Sequence, residues 1–554
     1  MASLITPEAR LAAPTGRRVA RPVRAPGPDR RWLTLAVLCV SLLVIVIDNT
    51  IVNVALPTLE RELGTSISGL QWVVDGYTLV FAGLLLTAGA LGDRFGRKRA
   101  LTAGLVVFGI GSFAAAFAGG VGQLVGARAV MGVGAALIMP ATLSILTNVF
   151  TNPRERAIAI GLWSGVAGVA VALGPVAGGF LLDHFWWGSV FIVNVPIVVG
   201  AIVAGRFLVP SSRSPEPHPI DWAGAFLSIV GLVALVWAII EAPSDGWTST
   251  TIVIAFAVAA TALVTFVWWE RRVPYPMLDV RLFRNPRFTA ASLTVTLVFF
   301  ALFGFIFLTT QYLQFVLRYS PFQAGVRTLP FAVAMMITAP TSSKFVEWLG
   351  TKRVVVAGML LFATGMVVAS TSTVASGYPR VMIAMLLLGS GMGLAVAPST
   401  ESIMGSLPRA HAGVGSAVND TTREVGGALG VAVVGSLLSS LYGARMLDGL
   451  SRSPLPAPAR AAAGDSLGGA LAVSAQLGRA GDALASAARE AFVYAMSRAS
   501  LVTAGIAVVG ALVAWRFLPA RAATDATEVE ERAPARQASV RPVGQLRPVP
   551  PRPQ

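Results

Sequence analysis

Runs of some twenty apolar residues, broken by short polar turns, recur along almost the whole chain and restrict its fold more than any single motif. They lie near 32–57, 69–91, 100–119, 122–147, 156–180, 189–208, 220–240, 251–269, 288–317, 322–347, 353–373, 380–404, 412–441 and 491–518. A helix of about 20 apolar residues crosses the hydrocarbon core of a bilayer, so the pattern predicts fourteen transmembrane helices. Within lipid the backbone finds no water, and a helix satisfies its own amides inside one segment. With 55% hydrophobic and 13% charged residues among 554, the chain carries more apolar surface than a soluble fold of this size conceals. The expected class is an all-α polytopic membrane protein.

Charge position then sets the expected orientation. A net charge of +16 would suggest nucleic acid in a soluble protein, but here the basic residues gather in the tails and in every second short loop. The N-terminal segment holds Arg10, Arg17, Arg18, Arg21, Arg24, Arg30 and Arg31. The alternate loops hold Arg94 to Arg99, Arg154 and Arg156, Arg206 and Arg213, Arg271 to Arg287, Lys344 to Arg353, and Arg409. Both termini are therefore expected in the cytoplasm, with the chain multi-pass in the cell inner (plasma) membrane. Residues 1–31 and 519–554 read as disordered cytoplasmic tails. A cleaved signal peptide does not fit, because the first apolar run is too long. The Ala-, Gly- and Ser-rich stretch 442–490 is too long for the short-loop charge rule and is expected outside as a loop. One cysteine, Cys39, leaves no intramolecular disulfide.

Between the second and third runs, Gly89 to Leu101 reads GALGDRFGRKRAL. Gly89 and Gly92 are expected to permit close helix approach, and Gly96 to take the positive φ of a tight reversal. Asp93 among Arg94, Arg97, Lys98 and Arg99 can make ion pairs in one conformation and lose them in another. The stretch has an echo, Glu347-Trp-Leu-Gly350-Thr-Lys-Arg353, and Met139-Pro140-Ala-Thr-Leu-Ser-Ile145 is echoed by Ala397-Pro398-Ser-Thr-Glu-Ser-Ile403. Two six-helix halves thus flank an inserted pair of spans, a recurrent transporter design with its binding site between the halves. The expected divisions are 32–208, 209–271 and 272–518.

Charges inside spans are expensive, on the order of 2.5–3.5 kcal/mol each, and tend to be functional. Asp48 lies roughly 13 Å from the outer end of its span at 1.5 Å per residue, and Asp75 and Arg128 fall at similar depth. Desolvation favours a neutral acid and a neighbouring guanidinium a charged one, so relative movement of Arg128 would bind or release a proton. A static ion pair holding the helices is the plain alternative. In the fifth run, Gly174, Pro175, Gly178 and Gly179 combine a kink with small residues that allow close packing. Asp420, Arg423 and Glu424 share one helix face at i, i+3, i+4 and either neutralise one another or serve gating or substrate. The ninth run carries Phe299, Phe300, Phe303, Phe305 and Phe307, then Gln311, Tyr312 and Gln314. The three histidines, His184, His218 and His411, fall in separate loops without ligand spacing, so no metal is expected. No phosphate-binding Gly-Lys-Ser/Thr sequence occurs.

The Gly89, Leu91, Asp93, Arg94, Gly96, Arg97 and Lys98 set resembles the loop between helices 2 and 3 of the major facilitator superfamily. The sequence from Asp48 to Pro57 looks like the first-span signature of that superfamily's fourteen-helix drug:proton antiporters. Leu124-x-x-x-Arg128-x-x-Met131-Gly132-x-Gly134 is similar to their fourth-span motif, with Met131 in place of the usual glutamine. Gly174-Pro175-x-x-Gly178-Gly179 resembles the antiporter motif, absent from most uptake members. Arg423 with Gly426-Gly427-x-x-Gly430 is similar to the family's thirteenth-span pattern. The resemblance implies the major facilitator fold, two six-helix bundles plus two inserted helices. It implies a proton-coupled exporter of lipophilic or amphiphilic drugs or antibiotics working by alternating access. Asp48, Arg128 and Asp75 would couple protons, and the Gly89–Lys98 set would gate the cytoplasmic side. Asn49, Asn53, Phe303, Gln311, Tyr312 and Glu401 would line the substrate cavity. No cofactor is implied beyond the proton gradient. The expected partners are protons, a small lipophilic substrate and membrane lipid, with no nucleic acid, and the chain would act as a monomer. A proton symporter for uptake of a small metabolite is the alternative within the superfamily. A polytopic enzyme acting on lipids is the alternative outside it, but the acidic or histidine clusters it needs in extended loops are missing, so no enzymatic activity is expected.

Overall fold

The computed structural model describes residues 28–213, 219–406, 412–450 and 455–520. The tails at 1–27 and 521–554, with Arg409, His218 and His411, lie outside the described residues. Among the described residues every regular element is helical. Thirteen helices among these residues are long and apolar enough to cross a membrane. The expected fifth span falls in a further long helix, Pro153–His184.

The first half comprises α1 (Pro28–Leu63), α2 (Ile67–Phe95), α3 (Arg97–Ala116), α4 (Val121–Val149), α5 (Pro153–His184), the single turn α6 (Ser189–Ile192) and α7 (Asn194–Leu208). The inserted pair is α8 (Trp222–Asp245) and α9 (Thr250–Glu270). The second half runs through α10 (Pro286–Gln311), α11 (Pro321–Arg327), α12 (Leu329–Leu349), α13 (Thr351–Ser370), α14 (Tyr378–Gly405), α15 (Ala412–Leu450), α16 (Ala457–Asp465), α17 (Leu467–Leu477) and α18 (Asp482–Phe517). One end of the bundle carries the α1–α2 turn and the other the α2–α3 turn. The first helix starts four residues inside the expected tail, at Pro28 rather than after residue 31, and Arg31 pairs with Glu155 at 2.6 Å.

The duplication hinted at by the sequence is built into the packing. A Cβ on Gly134 of α4 would stand 2.6 Å from the Phe108 nitrogen and 2.7 Å from the Gly104 oxygen of α3. On Gly391 of α14 it would stand 2.6 Å from both the Phe362 nitrogen and the Gly358 oxygen of α13. In both halves, then, small residues bring two backbones together where apolar side chains alone supply little net attraction in lipid. The reversals match too: Gly96 (φ +111°) and Gly350 (φ +81°) each end a helix with a bond back to the fourth preceding carbonyl.

The inserted pair is docked. Leu79 of α2, Val236 and Ile240 of α8, and Ala428 and Ala432 of α15 form one buried apolar cluster. Trp72 Nε1 donates to Glu241 Oε1 at 2.9 Å beside it. Helix α8 therefore lies along the seam between the halves, while α9 turns Val253, Ile254 and Val264 outward.

The stretch expected as a loop over 442–490 is folded instead. Helix α15 continues to Leu450, α18 begins at Asp482, and α16 and α17 lie between them. The Tyr442 hydroxyl, shared by the Ala463 and Ser466 carbonyls at 2.9 Å each, ties this cap to α15. Glu60 Oε1 accepts from the Gly468 amide at 2.8 Å, tying it to α1. Its Ala-rich composition lacks a span-length apolar run, yet alanine is the best helix former, and the short helices gain their burial from neighbours.

Candidate functional site

The polar centre of the first half is assembled from five helices that are otherwise apolar there. Asp48 of α1 and Arg128 of α4 are 0% and 1% exposed, and Arg128 Nη1 pairs with Asp48 Oδ2. Arg128 Nε donates to the Val73 carbonyl of α2 at 3.1 Å, and its guanidinium sits 4.3 Å from the Tyr77 ring centre. The other carboxylate oxygen of Asp48 accepts from Asn194 Nδ2 of α7 at 2.9 Å. That same nitrogen reaches Ser112 Oγ at 3.1 Å, and Ser112 donates to the Phe191 carbonyl at 2.8 Å. Charges this deep persist only when paired and hydrogen-bonded, and both conditions are met. Asn194, Ser112 and Tyr77 were not singled out from the sequence; the available signal was a polar residue inside each apolar run. Asp75 is equally buried but does not join the pair, and neither of its carboxyl oxygens has a hydrogen-bond partner.

At the α2–α3 end the expected turn forms. Arg97 Nε donates to Asp93 Oδ1 at 2.9 Å, and its Nη1 reaches the Ser144 carbonyl of α4 at 3.2 Å. Lys98 Nζ donates to the Arg206 carbonyl at 2.8 Å, and the Arg97 amide to the Ser212 carbonyl at 2.9 Å. Every partner lies in the first half or its trailing segment. Arg94 is exposed. The expected close helix approach at Gly89 and Gly92 is not found: a Cβ there would meet Pro140 and Ala100 at 3.6 and 3.5 Å, ordinary contact distances.

The fifth-span glycines do mediate close approach, on two sides. A Cβ on Gly174 would overlap Thr50 of α1, and one on Gly178 would stand 3.0 Å from Ile51. On Gly179 it would stand 2.5 Å from Phe322 Cα and the Pro321 oxygen, and a Cβ on Gly325 would overlap the Pro175 carbonyl. Helix α5 is thus wedged between α1 and α11, across the two halves. Further bonds cross at the same end. Gln71 Nε2 donates to the Val431 and Ala432 carbonyls at 3.2 and 2.8 Å. Gln314 Nε2, re-aimed by the π-helical turn Tyr312–Val316, donates to the Val54 carbonyl at 2.8 Å. Ser320 donates to Asp183 at 2.7 Å. These contacts shut the α1–α2 end of the molecule.

Between the halves an apolar cavity of about 70 Å³ remains, with Thr50, Asn53, Val171, Thr309, Phe331 and Met385 in its wall. Asn53 donates to the Asn49 carbonyl at 2.8 Å, leaving the side-chain oxygens of both asparagines unpartnered. Of the other expected lining residues, none borders this cavity. Phe303 packs on Gly427, Gln311 bonds back to the Phe307 carbonyl at 3.0 Å, and Glu401 is exposed. Tyr312 turns away into the second half, donating to the Thr373 carbonyl at 2.9 Å, because the end of α10 faces α13 and α18 there. In the charge cluster on α15, Arg423 lies 4.0 Å from Asp420, donates to Thr400 Oγ1 at 3.3 Å and sits 5.4 Å from the Phe299 ring centre. Among the described residues Glu424 makes no ion pair with Arg423, and its Oε2 is buried without a hydrogen-bond partner.

Comparison with known proteins gives a consistent placement. Residues 38–431 match the family model described as Major Facilitator Superfamily. The chain is 39% identical over 495 residues to the "Multidrug efflux pump LfrA" of Mycolicibacterium smegmatis, covering 87% of this chain and 96% of that one. It is 34% identical over 511 residues to the "Tetracenomycin C resistance and export protein" of Streptomyces glaucescens, covering 91% and 94%. Among solved structures, a bacterial homolog of the human lysosomal transporter Spinster, inward-facing and unoccupied, aligns with a TM-score of 0.64 at 18% identity over 89% of this chain and 98% of that one. The inward-open xylose transporter XylE from E. coli aligns at 0.55 and 13% identity, covering 91% and 99%. These two share the fold.

Proposed function

The chain belongs to the Major Facilitator Superfamily, and from that premise we propose that it exports lipophilic or amphiphilic drugs or antibiotics in exchange for protons. It does so by alternating access in the cell inner membrane, with both termini in the cytoplasm, as a monomer and without a cofactor. Relatives named as an efflux pump and as a resistance and export protein support the export direction. The observation that carries the coupling is the buried Asp48–Arg128 pair with Asn194 on the second carboxylate oxygen.

The orientation implied by the basic loops makes the shut α1–α2 end extracellular. In this reading the molecule opens toward the cytoplasm and takes substrate from there or from the inner leaflet. When the α1–α2 end parts, Asp48 becomes reachable from outside and accepts a proton, which weakens its hold on Arg128. Substrate leaves through that opening, and its reversal returns the proton inward as the next substrate is taken up. The electrical component of the driving force is about 2.3 kcal/mol per charge per 100 mV.

Inverted membrane vesicles energised with a proton gradient test this. Uptake of a lipophilic cation is expected, collapsing with an uncoupler and lost in Asp48→Asn. Unimpaired, uncoupler-sensitive uptake by Asp48→Asn removes that residue from coupling.

A further inference from the structure

At the α2–α3 end, the segment between α9 and α10 folds into a 3₁₀ turn, Val280–Arg284, capped by Asp279 Oδ1, which accepts from the Arg281 amide at 3.0 Å. Arg271, Arg272, Arg281, Arg284 and Arg287 fall within 271–287, where Asp279 is the sole acid. Arg271, Val280, Arg281, Phe283 and Arg284 line a surface pocket of about 310 Å³, at the lower edge of the range for small-molecule sites, roughly 300–1,000 Å³. Arg281 Nη2 donates to the Arg271 carbonyl at 3.2 Å and ties its two walls together.

Among the described residues no carboxylate lies within ion-pair distance of Arg271, Arg281 or Arg284. The neighbouring acids bond other groups, with Glu270 Oε1 buried and unpartnered. Glu270 Oε2 accepts from the Leu278 amide at 3.0 Å, and Asp221 accepts from Trp269 Nε1 at 2.9 Å and from the Gly224 amide at 2.8 Å. Three arginines therefore line one concavity without a carboxylate ion-pair partner among the described residues. Guanidinium groups match a phosphate oxygen pair by their forked donors.

The pocket also stands at the depth of lipid headgroups. Helix α9 ends at Glu270 and α10 begins at Pro286, so its walls start where the spanning helices stop. Around it Trp268, Tyr275 and Phe283 are 48%, 50% and 36% exposed, and the Arg272 guanidinium lies 4.2 Å from the Trp268 ring centre. Exposed aromatic rings at helix ends mark the membrane interface, and basic pockets at the cytoplasmic face suit anionic headgroups. Thr87 Oγ1 donates to Met277 Sδ at 3.2 Å, so the segment also touches α2 of the first half.

We propose that this pocket binds the phosphodiester headgroup of an anionic inner-leaflet phospholipid. The site is separate from the transport pathway and rests only on this end facing the cytoplasm. The test uses the full-length protein in detergent, titrated with phosphatidylglycerol or phosphatidylcholine and read by native mass spectrometry. Wild type is expected to retain phosphatidylglycerol preferentially. Arg281→Gln with Arg284→Gln is expected to weaken that retention by on the order of 30-fold, while Arg479→Gln at the opposite end leaves it unchanged. Gel filtration establishes that the double variant is folded. Equal retention of the two lipids by wild type, or undiminished phosphatidylglycerol on the folded double variant, overturns the proposal. Displacement of the lipid by millimolar inorganic phosphate assigns the pocket to a soluble anion and overturns it likewise. Binding is read without transport, so the outcome stands apart from the fate of the export reading.

Discussion

Gly179→Ala adds one methyl where α5 meets α11 across the two halves. Its carbon would stand 2.5 Å from Phe322 Cα and from the Pro321 oxygen. Carbon atoms rest at about 3.5–4.0 Å, so α11 must retreat by about 1 Å. Both opposing atoms are backbone, and no side chain can swing aside. Overpacking of this kind costs about 1–3 kcal/mol, and here the cost falls only on the conformation that shuts the α1–α2 end. The balance between shut and open forms is therefore expected to move 5- to 150-fold toward open. Spin labels at His184→Cys on α5 and Val326→Cys on α11, in a Cys39→Ser background, report the separation by pulsed resonance. A longer-distance population is expected to grow in Gly179→Ala and also in Gly325→Ala, whose Cβ overlaps the Pro175 carbonyl. Gly126→Ala, with no atom within 4 Å of the added carbon, is expected to leave the distribution unchanged. Identical distributions in wild type and Gly179→Ala refute the steric argument.

Two further outcomes follow from buried polar contacts. Arg128→Met orphans the Asp48 carboxylate and is expected to lower stability by about 3–5 kcal/mol, while Arg128→Met with Asp48→Asn recovers most of it; equal melting temperatures for the single and double variants would deny the pair its structural weight. Glu60→Leu removes the acceptor of the Gly468 amide at the start of α17 and is expected to loosen the cap by about 1–2 kcal/mol. Faster limited proteolysis within 455–481 checks this, and an unchanged cleavage rate counts against Glu60 as the tie.

The membrane class, the spans and the duplication were legible because lipid imposes a length and a polarity on each segment separately. Gly96 was legible for a similar local reason, since a reversal between two helices demands a positive φ. Asp48 and Arg128 stood out because a charge in an apolar run is costly wherever the chain goes. The cap at 455–481 was not legible, since its short helices are held by Tyr442 and Glu60, distant in the chain, and not by any periodicity of their own.

What the sequence settles alone is therefore what each segment pays for by itself: helix, span, turn and the presence of a buried charge. Which groups answer those charges was decided by tertiary structure. Asn194 reaches Asp48 from α7 and is itself held by Ser112 of α3, Tyr312 points away from the cavity its neighbours suggested, and α8 fills the seam between α2 and α15. Such pairings depend on helix rotation and depth, which an apolar run leaves undetermined because lipid accepts every azimuth of a uniformly apolar helix, and only contact with a neighbour selects one.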